Sequence, residues 1–306
     1  MTPVEVRPLT DGDDVDALDE GDPLAWMTAW WRSIPELPFR WFVGLLDGEP
    51  VGVAAGCPRP MAAGGTGYAL LNVVPRARRY GVGTALRRAV EDSVRGEVPG
   101  LVYSYLEGDS AAEAAVRAWG LSELGRHHES VLDLTTVDRD VLRQKAALAG
   151  VELAPLGPLE EMTDADWADL HAFVKARFGE APDTADGGGD LPVDVFRGRV
   201  QEPWMLHTAH VDGVLVGITF VTARPGRDDA TNTFFTGVHP DARGRGIAGA
   251  LKAAQALDLA AHGVAAVYTQ NMDGNEPILA ANRSLGFRRD SGYVEVLAPT
   301  PRHSGH

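Results

Sequence analysis

The chain is poor in cysteine. Cys57 is the only one among 306 residues, so no intrachain disulfide can form and a reducing compartment is expected. It stands between Gly56 and Pro58 after an apolar run, without a His/Asp partner nearby in sequence, and reads as a packed side chain rather than a nucleophile. Basic residues are outnumbered, 28 against 43 acidic ones, for a formal net charge of −15. That balance argues against a nucleic-acid partner and against docking on anionic membranes, while it is compatible with a cationic substrate. No apolar run approaches the ~18 residues that cross a bilayer. The N-terminus lacks the basic stretch and apolar core of a signal peptide. The expectation is a cytoplasmic protein. There is no Gly-Lys-Ser/Thr loop, which excludes the common ATP cradle.

What is present is a duplication. Val73-Val74-Pro75-Arg76-Ala77-Arg78-Arg79-Tyr80-Gly81-Val82-Gly83-Thr84-Ala85-Leu86 recurs as Val238-His239-Pro240-Asp241-Ala242-Arg243-Gly244-Arg245-Gly246-Ile247-Ala248-Gly249-Ala250-Leu251, 165 residues later and without a gap. Each copy is a strand-like apolar end, an Arg/Gly loop and an Ala/Leu-rich helix. Glycines let a backbone approach a ligand and aim successive N–H groups at it, and the following helix adds its positive end, so the loop suits a phosphate-bearing guest.

Other segments repeat in the same order. Val4–Leu9 matches Val151–Leu156 at an offset of 147, and Asp47–Gly52 matches Asp212–Gly217 at 165. Gly120-Leu121 matches Gly286-Phe287 at 166. Two copies of one domain follow, the second carrying about 18 extra residues within Thr163–Val200. Hydrophobic residues at 44% and charged ones at 23% supply two ordinary cores. The boundaries expected are 1–134 for the first domain, 135–150 for a partly helical linker, 151–298 for the second domain and 299–306 for a disordered tail.

In each copy the pattern predicts an opening strand, helical segments, a hairpin turning at Asp47-Gly48 or Asp212-Gly213, the strand entering the loop, a long helix, a strand, a short helix and a last strand. The last strands are expected at Glu129–Leu134 and Tyr293–Leu297. Trp26, Met27, Trp30 and Trp31 share a helical face in Asp11–Ser33 that reads as core or as a pocket wall. The extra residues hold two helical patterns around an acidic, Gly-rich bridge with Asp183, Asp186 and Asp190. The fold class is α/β of the α+β type: two tandem units, each a mixed, mostly antiparallel sheet flanked by helices.

This order, with Arg78-x-x-Gly81-x-Gly83 and Arg243-x-x-Gly246-x-Ala248 each between a strand and a helix, resembles the GNAT acyltransferases over nearly the whole chain. The resemblance implies acetyl-CoA as cofactor and acetyl transfer to a small-molecule primary amine in a ternary complex. It implies that Arg243, Arg245 and the backbone of Gly244, Gly246, Ile247 and Ala248 hold the pyrophosphate. Thr236-Gly237-Val238 would pair with the pantetheine arm, and the Val238 N–H would polarise the thioester carbonyl.

Asn275 has two open roles, cofactor contact or helix cap. Asn282 stands where many family members place a tyrosine that protonates the leaving thiolate. An amide cannot supply a proton at neutral pH, although it can hydrogen-bond sulfur. Tyr268 and Tyr293 are substitutes to consider. For the base, His239 is the first candidate, with His207, His210, Asp228 and Asp229 behind it. Asp109 and Val116 stand at the first copy's places for Asn275 and Asn282, so that copy is expected to keep its cradle (Arg78, Arg79, Gly81, Gly83) without the chemistry. A non-catalytic acyl-CoA sensor is the alternative, since it needs the same cradle.

Overall fold

A computed structural model describes residues 3–18, 24–32, 37–180 and 192–300. The chain divides into two compact units. Among the described residues, one runs to Gly125 and takes back the chain from Tyr293 onward, and the other is built from Arg126 to Gly292.

The first unit contains β1 (Val4–Pro8), α1 (Val15–Leu18), α2 (Ala25–Arg32), β2 (Arg40–Leu46), β3 (Glu49–Gly56), β4 (Gly67–Val73), α3 (Val82–Ser93), β5 (Gly100–Leu106) and α4 (Ser110–Trp119). Next come β6 (Ser122–Asp133), α5 (Arg139–Ala146), β7 (Glu152–Pro155), α6 (Asp164–Phe178), α7 (Val193–Arg199), β8 (Leu206–Val211) and β9 (Val214–Arg224). The chain closes with β10 (Arg227–Val238), α8 (Ile247–Ala261), β11 (Ala266–Met272), α9 (Glu276–Ser284) and β12 (Arg288–Pro299).

In the first unit the strands lie in the order β1-β2-β3-β4-β5-β12, and β4 with β5 is the parallel pair. In the second the order is β7-β8-β9-β10-β11-β6, and β10 with β11 is the parallel pair. The two closing strands are therefore exchanged. β6 follows the first copy but pairs along β11, from Asp133 opposite Ala266 to His127 opposite Met272. β12 follows the second copy but pairs along β5, from Tyr293 opposite Leu106 to Pro299 opposite Gly100. A boundary at residue 134 leaves β6 in the wrong unit, and one at 298 does the same for β12. Alternation marks a strand but not its partner.

The expected linker is also part of a core. Asp138 caps α5 by accepting from the N–H groups of Asp140 and Val141. Leu142 is fully buried among Leu132, Ala253, Ala256 and Phe287. Burying one leucine is worth about 1.5–3 kcal/mol, which fixes the segment on α8 rather than leaving it a tether.

The expected helix over Asp11–Ser33 is two short ones, and 19–23 lie outside the described residues. Trp31 is buried, its ring 5.2 Å from that of Phe39 and 5.5 Å from that of Tyr68. The extra residues form α6, begun by a Thr163/Asp166 capping box, and α7; the acidic bridge lies outside the described residues. Pro299 and Thr300 are ordered, Thr300 bonding Pro99 and Val98 carbonyls. Both Asp-Gly turns take the left-handed conformation expected of hairpins, φ 52° and 82° for Asp47-Gly48 and 50° and 77° for Asp212-Gly213.

Candidate active site

In each unit the site begins where the parallel strands part. β10 stays in register with β11 only from Ala230/Ala266 to Asn232/Tyr268, then continues to Val238 without that neighbour. A register shift between Thr233 and Phe235 against β9 bends β10 at this point. β4 and β5 behave alike, paired from Gly67/Leu101 to Ala69/Tyr103 and separate thereafter.

The backbone of β10 is turned toward the gap. The His239 N–H donates to Val216 O at 2.8 Å, so the pair Val238/Gly217 is the non-hydrogen-bonded kind. Val238 and, two residues back, Thr236 therefore point their N–H groups away from β9, into the gap. This is the geometry expected of an oxyanion donor and of amides that pair with a pantetheine arm. The Thr236 hydroxyl is held by Thr219 at 2.8 Å.

Gly246 heads α8 at φ 81°, and Gly81 heads α3 at φ 91°. A Cβ at either would meet no atom within 4 Å, so it is the backbone angle, not a lack of room, that calls for glycine at the helix head. Gly244 takes φ 75° in the second loop, and Arg79 takes φ 73° at the matching place in the first. Alternating backbone angles of this kind make a concave nest of N–H groups, an anion cradle at a helix N-terminus. Gly244, Gly246 and Gly249 also have the Gly-x-Gly-x-x-Gly spacing of dinucleotide folds. The antiparallel neighbours and the parting of β10 from β11 separate this site from that architecture.

The repeated arginine of each loop is tied to its own strand. Arg243 Nε donates to Val238 O at 3.1 Å, and its guanidinium pairs with Glu180. Arg78 Nε donates to Val73 O at 2.9 Å. Each guanidinium braces the loop to the end of its strand. Arg245, Ile247 and Ala248 follow at the head of the helix, Arg245 exposed and Ile247 buried beneath it.

Asn275 is the residue preceding α9 and makes no side-chain cap bond, so its amide is not spent on the helix. Asp109 is spent: its carboxylate accepts from Ala111 and Ala112 N–H groups. Asn282 is 2% exposed and belongs to a polar chain that sequence reasoning missed. Lys252 Nζ donates to Asn282 Oδ1 at 2.9 Å, and Asn282 Nδ2 donates to Asn271 Oδ1 at 2.8 Å. Burial pulls the Lys252 ammonium down to about 7. The signal was available: Lys252 is one of three lysines in the chain and interrupts an Ala/Leu-rich helix.

Several candidates fall away from the gap. His207 and His210 lie on β8, with β9 between them and β10. His207 is bound to Asp258 at 2.7 Å. Asp229 is clamped by Arg227 at 3.0 and 2.9 Å, whose hydrogen bonds hold its carboxyl below the usual range and make it a poor base. Tyr293 belongs to the first unit, opposite Leu106. The Tyr268 hydroxyl accepts from Arg227, and Arg224 lies 3.6 Å over its ring. His239 remains beside the gap, its Nδ1 accepting from the Asp241 N–H at 3.4 Å.

A second missed cluster surrounds the point of divergence. Glu129 takes two hydrogen bonds from Arg224, both 3.0 Å, and one from Gln270 at 3.1 Å. Arg224 also donates to Asn232 at 2.8 Å. Both partners are buried, with side-chain exposures of 11% and 5%.

The first unit's gap is a cavity of about 700 Å³, lined by Leu71, Val73, Arg78, Gly81, Gly83, Tyr105 and Trp119 among others. That volume lies in the range of small-molecule and cofactor sites. Its wall differs from the second unit's. Arg87, at the place of Lys252, lies 5.0 Å over Trp119, whose Nε1 donates to Thr84 at 3.1 Å. Tyr103 is buried near Glu91, and burial pushes both groups up in pKa.

Comparison with known proteins agrees with this geometry. The model of the acetyltransferase (GNAT) family matches residues 9–122, which lie within the first copy. A mycothiol acetyltransferase of Clavibacter michiganensis subsp. michiganensis is 31% identical over 304 residues, 94% of this chain and 89% of that one. The chain belongs to the GNAT acetyltransferases. A second mycothiol acetyltransferase, from Thermomonospora curvata, is 28% identical over 279 residues, 86% of this chain and 83% of that one. A tandem GNAT protein from the clavulanic acid biosynthesis pathway shares the fold, with a TM-score of 0.72 at 23% identity, covering 99% of this chain and 100% of that one. This GNAT chain is an enzyme that transfers acetyl from acetyl-CoA to an amine. The binding-only alternative is set aside. No helix among the described residues is long and apolar enough to cross a membrane.

Proposed function

We infer that the second unit carries the chemistry, and that the acceptor is a small primary amine of the kind used by mycothiol acetyltransferases. The observation that supports this is the second gap. β10 parts from β11 after Asn232/Tyr268, Thr236 and Val238 turn their N–H groups into it, and Asn282 and Asn271 form a polar wall. At the matching places the first unit has Val116 and Tyr105, and its cradle is the better fit to a binding role.

In this reading the nest of Gly244 and Gly246 takes the pyrophosphate, with Arg245, Ile247 and Ala248 at the helix head. Asn275 contacts the cofactor. The Val238 N–H polarises the thioester carbonyl, and the amine attacks it directly, because the lone cysteine is buried in the first unit. Acetyl-CoA supplies the activated acyl group. His239 is the candidate base. The cluster of Glu129, Arg224, Asn232 and Gln270 offers a polar floor to an acceptor at the point of divergence.

Titration calorimetry with acetyl-CoA on wild type, Gly81→Asp and Gly246→Asp tests the assignment. An aspartate places a negative charge and a strained backbone in one cradle at a time. Loss of a site in each variant would mean that both cradles bind. Unaltered binding in Gly246→Asp would refute the second cradle as a cofactor site.

A further inference from the structure

Lysine in a helix ordinarily runs its stem along apolar surface and keeps the ammonium in water. Lys252 does not. It is 5% exposed, and its Nζ reaches Asn282 Oδ1 at 2.9 Å and Thr269 Oγ1 at 3.4 Å, 5.2 Å from the centre of the Phe287 ring. Burial is the sole cause of its lowered pKa, so no charged group contributes. On the elements packed against α8, His207 of β8 pairs with Asp258, Asp140 with Arg143 on α5, Glu276 with Arg283 on α9, Arg224 of β9 with Glu129, and Arg227 with Asp229 on β10. Arg139 and Lys145 of α5, Glu152 of β7 and Asp228 of β10 are exposed, and His210 of β8 is half-buried.

A buried ammonium without a carboxylate is costly. What it does accomplish is to orient one amide. With Oδ1 accepting from Lys252, Asn282 must turn Nδ2 the other way, where one N–H meets Asn271 Oδ1 at 2.8 Å and the second is left to donate. The first unit has no such pair, since Arg87 lies over Trp119 and Val116 stands at the place of Asn282.

Resting on the reading of the second unit as the acetyl-CoA site, we propose that Lys252 is a positioning residue that acts through Asn282 to stabilise the coenzyme A thiolate as it leaves. In the step concerned, the amine nitrogen bonds to the thioester carbonyl carbon, the C–S bond breaks, and its electron pair stays on sulfur. The surplus proton of the amine passes to base or water, and water later protonates the thiolate. Asn282 donates an N–H to sulfur, and Lys252 behind it, when protonated, polarises that N–H; a thiolate forming nearby in turn favours the protonated lysine. A hydrogen bond strengthened by Lys252 therefore replaces the proton that the family's tyrosine would give.

The test reads the ionisation of bound coenzyme A rather than turnover. The full chain carrying Gly81→Asp, which silences the first cradle, is saturated with coenzyme A. The ultraviolet absorption of the thiolate is followed against pH, with desulfo-coenzyme A as reference. An ordinary thiol ionises near about 8.5. The proposal predicts a midpoint at least about one pH unit lower for the bound thiol, the effect of a nearby opposite charge. Lys252→Met should return it to the free value, and Lys252→Arg should keep it low. A bound midpoint equal to that of free coenzyme A, or identical midpoints in wild type and Lys252→Met, would overturn the proposal. If Lys252→Met fails to fold, the wild-type midpoint against free coenzyme A decides. Failure of the Gly81→Asp chain to bind coenzyme A at all refutes the second-cradle reading instead.

Discussion

Arg79 and Gly244 hold the same left-handed backbone at matching places in the two loops, φ 73° and 75°. A side chain there costs about 1–2 kcal/mol, and the first loop accepts that cost to keep its nest. Gly244→Ala should lower stability by about 1 kcal/mol, whereas Arg79→Gly should leave it unchanged or raise it slightly. Denaturant unfolding of the two variants checks the pair.

Removing one partner of the buried Glu129–Arg224 pair strands a charge. Glu129→Leu should cost about 3–5 kcal/mol. Replacing both, Glu129→Leu with Arg224→Met, should recover most of that loss. A double-mutant cycle by urea denaturation measures it, and additive effects would contradict the coupling seen in the hydrogen bonds.

Lys252 links stability to pH. Its value is about 7 when folded against 10.5 unperturbed. Between those values the unfolded chain binds more protons, so stability rises with pH across the window. Lys252→Met should remove that slope and stabilise the protein below it by a few kcal/mol, at on the order of 1.4 kcal/mol per pH unit. Unfolding free energies measured from pH 7 to pH 10 in both proteins, roughly that window, supply the comparison.

His207 is 1% exposed, and burial lowers its pKa despite the bond to Asp258. Burial favours the neutral form in the folded protein. Its contribution to stability is present above the ordinary histidine value and is lost as pH falls from there through the lowered value. His207→Gln should flatten that acid limb, which thermal unfolding at a series of pH values will show.

Much of this was legible in the sequence. The repeated loop placed Gly81 and Gly246 at helix heads, the Asp-Gly pairs placed both hairpins, and the missing tyrosine at Asn282 was visible by its spacing from Gly286-Phe287. The exchange of β6 and β12 was not, because alternation in Ser122–Asp133 carries no mark of its partner across a long loop. α5 read as a linker because Leu142 is one apolar residue among charges. Lys252 carries no mark of burial in the sequence, because a lone charge in a helix is usually solvated. The brace made by Arg243 depends on a carbonyl five residues earlier that only the folded loop brings within reach.

The central claim is catalysis in the second unit. The most direct measurement is acetyl-CoA-dependent thiol release with a panel of small primary amines, the acceptor of mycothiol acetyltransferases among them, in wild type, Gly81→Asp and Gly246→Asp. The account predicts turnover that survives Gly81→Asp and falls by at least about a hundredfold in Gly246→Asp, a loss of about 2.7 kcal/mol in transition-state stabilisation. Turnover that survives Gly246→Asp but is abolished by Gly81→Asp would move the chemistry to the first unit and contradict it.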